Sequence, residues 1–173
     1  MREILQEAHA LLRGGDLQAA AKTLTTSQRA EVIGAAETSL LLHLRALLEA
    51  SRADLDSLST TLGDAADVER EAGWTLAAHH SIHQLALLTA PGGSLARLKS
   101  YYRETFDTLR RTQNHQGAGL CLRSLGELAW LSPKPEQAVT FWRSGAKRLA
   151  RVGVADEEQL RRWAELAQPE GVG

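Results

Sequence analysis

Apolar residues recur at three- and four-residue spacing along the whole chain, and no stretch shows sustained alternation of apolar and polar positions. Such spacing places side chains on one face of an α-helix, whereas alternation would indicate a strand. Ala, Leu, Arg and Glu are frequent, while β-branched and aromatic residues are sparse. The pattern therefore predicts an all-α protein.

Four short segments interrupt the helical pattern, and each offers a glycine, a proline or an N-cap residue. They read RGGD (13–16), SRAD (51–54), APGGS (90–94) and SPKPE (132–136). Their first residues lie 38, 39 and 42 positions apart. This spacing predicts four helical hairpins in one domain, over about 1–34, 39–72, 79–112 and 119–152. A capping helix over 156–167 and a flexible tail over 168–173 complete the prediction.

Equivalent positions in these hairpins carry similar residues. A small residue lies midway along the first helix, a small or apolar residue lies early in the second, and a bulky residue follows four positions later. In the fourth hairpin these are Gly126, Ala138 and Trp142. Small residues let two helices approach closely, and the bulky residue fills the space beside them. One such hairpin leaves an apolar face open, so we expect the copies to stack into a solenoid.

The segment LRSLGELAWLSPKPEQAVTFW (122–142) resembles a tetratricopeptide repeat. The matching residues are Leu122, Leu125, Gly126, Ala138 and Trp142 in this segment; Ile4, Ala8, Leu11, Gly15, Leu17 and Ala20 in the first; Leu42, Ala46 and Leu58 in the second; and Ile82, Leu85, Ala86, Gly93, Leu98 and Tyr102 in the third. The long repeat spacing is similar to that of bacterial regulators of the maltose-activator type. The resemblance covers residues 1–152 and implies a right-handed α-solenoid of four antiparallel hairpins.

The resemblance also implies a concave groove lined by the first helix of each repeat. The family's groove positions correspond here to the candidate binding residues His9, His43, His80, His83, Leu87, Arg123, Glu127 and Trp130. One row across this groove reads Leu5, His43, His83 and Arg123. Arg123 could hold a carboxylate through a forked hydrogen bond, and the histidines would add positive charge in mildly acidic solution. The family's carboxylate clamp needs a set of Lys, Asn and Arg residues, of which only Arg123 is suggestive here.

We therefore expect a non-catalytic scaffold or adaptor that binds a protein or peptide in the groove. Such binding could serve a regulatory role. The alternative is a small-molecule sensor with its pocket in the same groove. A long groove with open ends would favour a peptide, whereas a closed pocket of a few hundred cubic ångströms would favour a small ligand. For each groove residue taken alone, the competing interpretation is that its polar side chain only meets solvent on the inner surface of a scaffold and binds no ligand.

Three histidines lie close together in the segment AHHSIHQLAL (78–87). If Ile82, Leu85 and Ala86 fill the packing positions of the third repeat, His80 and His83 face the groove and His79 faces the preceding hairpin. Histidines three or four positions apart can share a metal ion, but a stable site needs further ligands. Only His43 and Glu127 could supply them, and no H-E-x-x-H motif is present. We predict no metal and no other cofactor.

Composition narrows the function further. Twenty Lys and Arg residues nearly balance 21 Asp and Glu residues, which does not favour binding to nucleic acid or to an anionic membrane. The single Cys121 excludes an internal disulfide and fits a reducing cytoplasm. No secretory signal, no span of about 20 apolar residues and no enzyme motif is present. Because no cap precedes the first hairpin, we expect that end to allow self-association or contact with another protein.

Overall fold

The computed structural model describes residues 1–30 and 34–168, and within these ranges the chain folds into helices and no strands. The helices are α1 (Arg2–Arg13), α2 (Leu17–Ala30), α3 (Ala35–Ser51), α4 (Leu55–Glu71), α5 (Thr75–Thr89), α6 (Leu95–Arg111), α7 (His115–Trp130), α8 (Glu136–Ala150) and α9 (Asp156–Leu166). The predicted all-α class is confirmed. Each of the four predicted breaks falls at a connection between helices. The predicted tail over 168–173 lies, after Gln168, outside the described residues.

Four connections between helices share one geometry. The residue after the turn donates its backbone N–H to the carbonyl five positions earlier, as Asp54 does to Glu49 at 3.0 Å. The residue before it has positive φ, which closes a Schellman-type helix end. The positive-φ residues are Gly15 (81°), Ala53 (55°), Gly73 (81°) and Gln113 (57°). In three of the turns the next side chain also caps the following helix: Asp16 accepts from Ala19 N, Asp54 from Ser57 N and Asn114 from Gly117 N.

This shared turn gives a stability prediction. Ala53→Gly should raise the free energy of unfolding by about 0.5–1 kcal/mol, because the left-handed backbone at residue 53 strains a side chain but not glycine. The reverse change in an equivalent turn, Gly73→Ala, should lower it by about 1 kcal/mol, although no atom lies near the added methyl group. Urea unfolding of both variants measures whether each change raises or lowers the free energy of unfolding. If both variants shift stability in the same direction, backbone strain is not the cause.

Most helices pack against their neighbours in the chain, as short connections require. Helix α5 is the exception, because its backbone lies close to α4 but farther from α6, which packs on α7. Its contacts with α6 are made by side chains, such as His80 with Tyr102. Ile82 is 45% exposed and Ala86 is also exposed. The prediction that these two residues fill the packing positions of the third hairpin is therefore wrong. Ala8, Ala46 and Gly126, at the corresponding positions of the other hairpins, are buried.

The beginning and the end of the helical array meet. Arg2 donates to the backbone oxygen of Glu165 in α9 at 3.2 Å, and His9 hydrogen-bonds the backbone oxygen of Ser132 at 3.1 Å. Helix α3 also packs against α9. One apolar core accordingly includes residues of α1, α2 and α3 together with residues of α7, α8 and α9. The first hairpin, predicted to be uncapped, thus contacts the last helix through Arg2.

Candidate functional site

Polar side chains from five helices meet in the interior of the protein. We call this group the buried polar cluster; its members are Ser39 and His43 of α3, Glu69 of α4, Ser81 and Gln84 of α5, Arg123 and Glu127 of α7, and Gln159 of α9. Each of these residues is 0% exposed. Buried polar groups are costly unless they are hydrogen-bonded, so their partners decide what the cluster can do.

Glu69 lies at the centre of the cluster. Its Oε1 accepts from Arg123 Nη2 at 2.6 Å, from Gln159 Nε2 at 2.7 Å and from Ser39 Oγ at 2.8 Å. Its Oε2 accepts from Ser81 Oγ at 2.6 Å. Burial alone would raise the pKa of Glu69, but the charge of Arg123, the nearby His43 and these hydrogen bonds hold it far below its usual value. Glu69 is therefore a carboxylate throughout the physiological pH range.

Arg123 and His43 connect Glu69 to a second buried carboxylate. Glu127 Oε1 lies 3.4 Å from Arg123 Nε, and Glu127 Oε2 lies 3.6 Å from His43 Nδ1. Gln84 Nε2 donates to Glu127 Oε2 at 2.8 Å. The guanidinium of Arg123 also donates to the backbone oxygen of Ala77 at 2.9 Å, so it joins α4, α5 and α7. The guanidinium is thus held by groups inside the protein, although its Nε and the facing Glu127 Oε1 form an ion pair without a hydrogen bond.

The cluster corrects the predicted position of three candidate residues. His43, Arg123 and Glu127 were expected in an open groove, but all three are 0% exposed. The reason is that α9 covers this side: its Trp163 ring lies 5.1 Å from the Arg123 guanidinium, and its Gln159 reaches Glu69. A ligand outside the folded protein has no access to them.

Of the remaining residues of the predicted groove, His80 and His83 lie side by side on α5, with ring centroids 6.1 Å apart. His80 is only 9% exposed and hydrogen-bonds Ser124 Oγ at 2.9 Å through Nε2. His83 is exposed beside Tyr101, with ring centroids 5.7 Å apart, and Leu87 is half-buried. His79 is exposed rather than directed into the preceding hairpin. No group of three or more metal-ligating side chains occurs among residues 1–30 and 34–168.

His80 gives a prediction on pH. Burial, with the nearby Arg123 and His83, holds the pKa of His80 well below 6.5. The unfolded chain then takes up a proton near pH 6.5 that the folded protein does not, so stability falls as the pH drops below that value. The loss approaches about 1.4 kcal/mol per pH unit. Urea unfolding between pH 7.5 and 5.5 should show a shallower dependence of stability on pH for His80→Gln than for the parent, and an equally steep dependence would contradict the assignment to His80.

An accessible cleft of about 230 Å³ lies where the two ends of the array meet. We call it the seam cleft. One wall is the face of α1 formed by Arg2, Leu5, Gln6, His9, Ala10 and Arg13. The other wall consists of Trp130, Pro135 and Glu136 near the α7–α8 connection and of Leu166, Ala167 and Gln168 at the end of α9. The seam cleft therefore combines a polar wall with a largely apolar one.

Two residues of the predicted groove, His9 and Trp130, meet in the seam cleft. Their rings are in an edge-to-face arrangement, with centroids 5.5 Å apart. The backbone oxygen of Ser132 can only accept, so His9 Nε2 carries the hydrogen of that bond and Nδ1 has a lone pair when the ring is neutral. Of the eight predicted groove residues, only His9 and Trp130 line the seam cleft.

Sequence reasoning missed several residues of both sites. Glu69 was missed, although it continues the buried stripe of α4 formed by Leu62, Ala65 and Ala66. A charged residue on an apolar helix face is a signal that it has a buried partner. The cleft residue Arg13 was missed because no local pattern reveals that α1 meets the α7–α8 connection.

The single cysteine is a packing residue. Cys121 is 3% exposed within an apolar cluster that includes Leu125 and Tyr102, and burial raises the pKa of its thiol to about 12. At neutral pH it is therefore a thiol rather than the reactive thiolate. Trp74 is 6% exposed and belongs to the larger apolar cluster.

Comparisons with known proteins found no match for this chain among family models, curated proteins or solved structures. The resemblance to tetratricopeptide repeats thus remains a prediction. Within the described ranges, every helix is too short or too polar to cross a lipid bilayer.

Proposed function

We propose that this protein is a non-catalytic peptide-binding module and that its binding site is the seam cleft. The observation that carries the proposal is accessible space lined by two exposed arginines and by the edge of Trp130, which is 3% exposed. The buried polar cluster has the richer chemistry, but it is sealed. In the seam cleft, Arg2 and Arg13 are exposed along one wall and Trp130 forms part of the other.

The shape of the cleft favours a short peptide. Arg2 and Arg13 mark its ends on α1, and an α-helix rises about 1.5 Å per residue, so the wall is about 16 Å long. An extended peptide advances about 3.3 Å per residue, and five residues cover this length. A peptide lying along α1 would present alternate side chains to Trp130 and to solvent.

The second candidate is a sensor for a small molecule. The volume of about 230 Å³ favours it, since a space of this size also suits a compact metabolite. The two candidates differ in the length of cleft that the ligand covers. A peptide should contact both Arg2 and Arg13, whereas a compact ligand reaches one of them.

The proposal retains a helical-repeat architecture and a cytoplasmic location. Recurrent small residues at Ala8, Ala46 and Gly126 and a turn geometry used four times support a repeat origin for the helical array. We propose that this array is a four-hairpin solenoid of tetratricopeptide type whose first and last helices are in contact.

The lone buried thiol of Cys121 supports a reducing compartment. Self-association through the first hairpin remains a separate prediction, tested by sedimentation.

The test is selection of peptides from a random hexapeptide phage library. Ala10 is exposed in the seam cleft, so Ala10→Trp should fill the cleft without disturbing the core. The matched control is Ala96→Trp, which adds the same ring at an exposed position of α6. The parent and the Ala96→Trp protein should enrich a common set of peptides, and Ala10→Trp should not. Equal enrichment by all three proteins, or no enrichment by the parent, would overturn the proposal.

A further inference from the structure

We infer that the peptide bound in the seam cleft is acidic at two positions four residues apart and carries an apolar side chain between them. This inference rests on the proposed function and assigns the class of partner. The basis is the distribution of charge and apolar surface along the two walls of the cleft.

The α1 wall presents positive charge at both ends. Arg2 and Arg13 are exposed, and within the described part of the chain Arg13 forms no hydrogen bond or ion pair. Arg2 uses one N–H for the backbone oxygen of Glu165 and has others that remain available, since a guanidinium carries five. Two such groups, about 16 Å apart along the helix, can lean inward onto the carboxylates of residues i and i+4 of an extended peptide, which share one face and lie about 13 Å apart.

The space between the two arginines is suited to an apolar side chain. Ala10 is exposed on the α1 wall, and small parts of the otherwise buried Leu5, Trp130 and Leu166 complete an apolar lining. An apolar lining between two charged groups favours an apolar side chain of the peptide at this point. The anchoring residue therefore lies between the two acidic positions.

Glu136 restricts which way the charges point. It is exposed on the wall opposite α1. A peptide carboxylate near Glu136 would be repelled, whereas one near Arg2 or Arg13 would be attracted. The acidic side chains should consequently turn toward α1, and a peptide with basic residues at those two positions should bind most weakly.

Three synthetic peptides test the inference by calorimetry at low ionic strength: Ac-EVFVE-NH2, its neutral analogue Ac-QVFVQ-NH2 and its basic analogue Ac-KVFVK-NH2. We expect the parent protein to bind the acidic peptide at least fivefold more tightly than the neutral one, with the basic peptide weakest. In Arg13→Gln the preference for the acidic over the neutral peptide should shrink severalfold. Arg103→Gln, which removes an exposed arginine from α6, should keep the full preference.

The outcomes separate this inference from the proposed function. If all three peptides bind equally and Ala10→Trp abolishes their binding, the cleft binds peptides but the acidic preference is wrong. If the preference for the acidic peptide persists undiminished in Arg13→Gln, the assignment of Arg13 is wrong. If none of the peptides binds and the phage library also yields no cleft-dependent sequence, the proposed function itself is overturned.

Discussion

Replacing Arg123 with methionine is expected to lower the free energy of unfolding by about 3–5 kcal/mol, the largest effect of any single substitution considered for this protein. Methionine fills similar space but removes the only guanidinium in the buried polar cluster. Glu69 would lose its bond to Nη2 and Glu127 its nearest positive neighbour, leaving two carboxylates at 0% exposure without a counter-charge from α7. Chemical unfolding followed by circular dichroism measures the loss.

A second substitution distinguishes a charge effect from a packing effect. Glu69→Gln removes one of the stranded carboxylates, so Arg123→Met with Glu69→Gln should be less damaging than the sum of the two single changes, by at least about 1 kcal/mol. The milder Arg123→Lys keeps the charge if the methionine variant does not fold. Arg103→Met, on the surface of α6, should change stability by less than about 0.5 kcal/mol. Strict additivity of the two buried substitutions would contradict the proposed coupling.

Gly126→Ala is expected to lower the free energy of unfolding by about 2–4 kcal/mol. A methyl group on residue 126 would lie 2.3 Å from Trp142 Nε1, too close for any non-bonded pair. Trp142 is 0% exposed and its Nε1 donates to the backbone oxygen of Arg123 at 3.1 Å, so the ring cannot retreat without losing that bond. The helices α7 and α8 would have to separate.

The matched control is Gly63→Ala in the middle of α4. No neighbouring atom lies within 4 Å of the added methyl group there. Alanine is the better helix former, so this variant should be more stable by about 0.5–1 kcal/mol. The same substitution is thus expected to lower the free energy of unfolding at one helical glycine and to raise it at the other. A stabilising or neutral effect at residue 126 would show that the contact between α7 and α8 is looser than described.

Features encoded by neighbouring residues could be predicted from the sequence. The helical periodicity gave the fold class, and the breaks at 13–16 and 51–54 carry their own turn and cap residues. The contact of Gly126 with Trp142 was also predictable, because a small residue and a bulky one recur at fixed spacing. In each case the information lies within one hairpin.

The orientation of α5 could not be predicted in this way. Its sequence, TLAAHHSIHQLALLT, contains no Asp, Glu, Lys or Arg, so no charged face marks the side that meets water. Alignment with the other hairpins placed His83 in line with His43 and Arg123. In the structure Ser81 takes that place, donating to Glu69 and accepting from Arg123 Nη2 at 3.0 Å, while His83 is exposed.

The seam cleft could not be predicted because it depends on contacts between distant parts of the chain. Arg2 and Glu165 are 163 positions apart, and His9 and Ser132 are 123 apart. Neither pair has a local sequence signal. The same closure brings α9 over the buried polar cluster, so one unpredicted feature both seals the expected site and creates the accessible one.

The most direct test of this account uses the indole N–H resonances of the four tryptophans in an isotope-labelled protein. Trp130 lines the seam cleft, whereas Trp142 and Trp163 pack beside Arg123 of the buried polar cluster. Titration with Ac-EVFVE-NH2 should shift the Trp130 resonance in a saturable way and leave those of Trp142 and Trp163 in place. Shifts at Trp142 and Trp163 with Trp130 unmoved would place the ligand at the buried polar cluster and contradict the account.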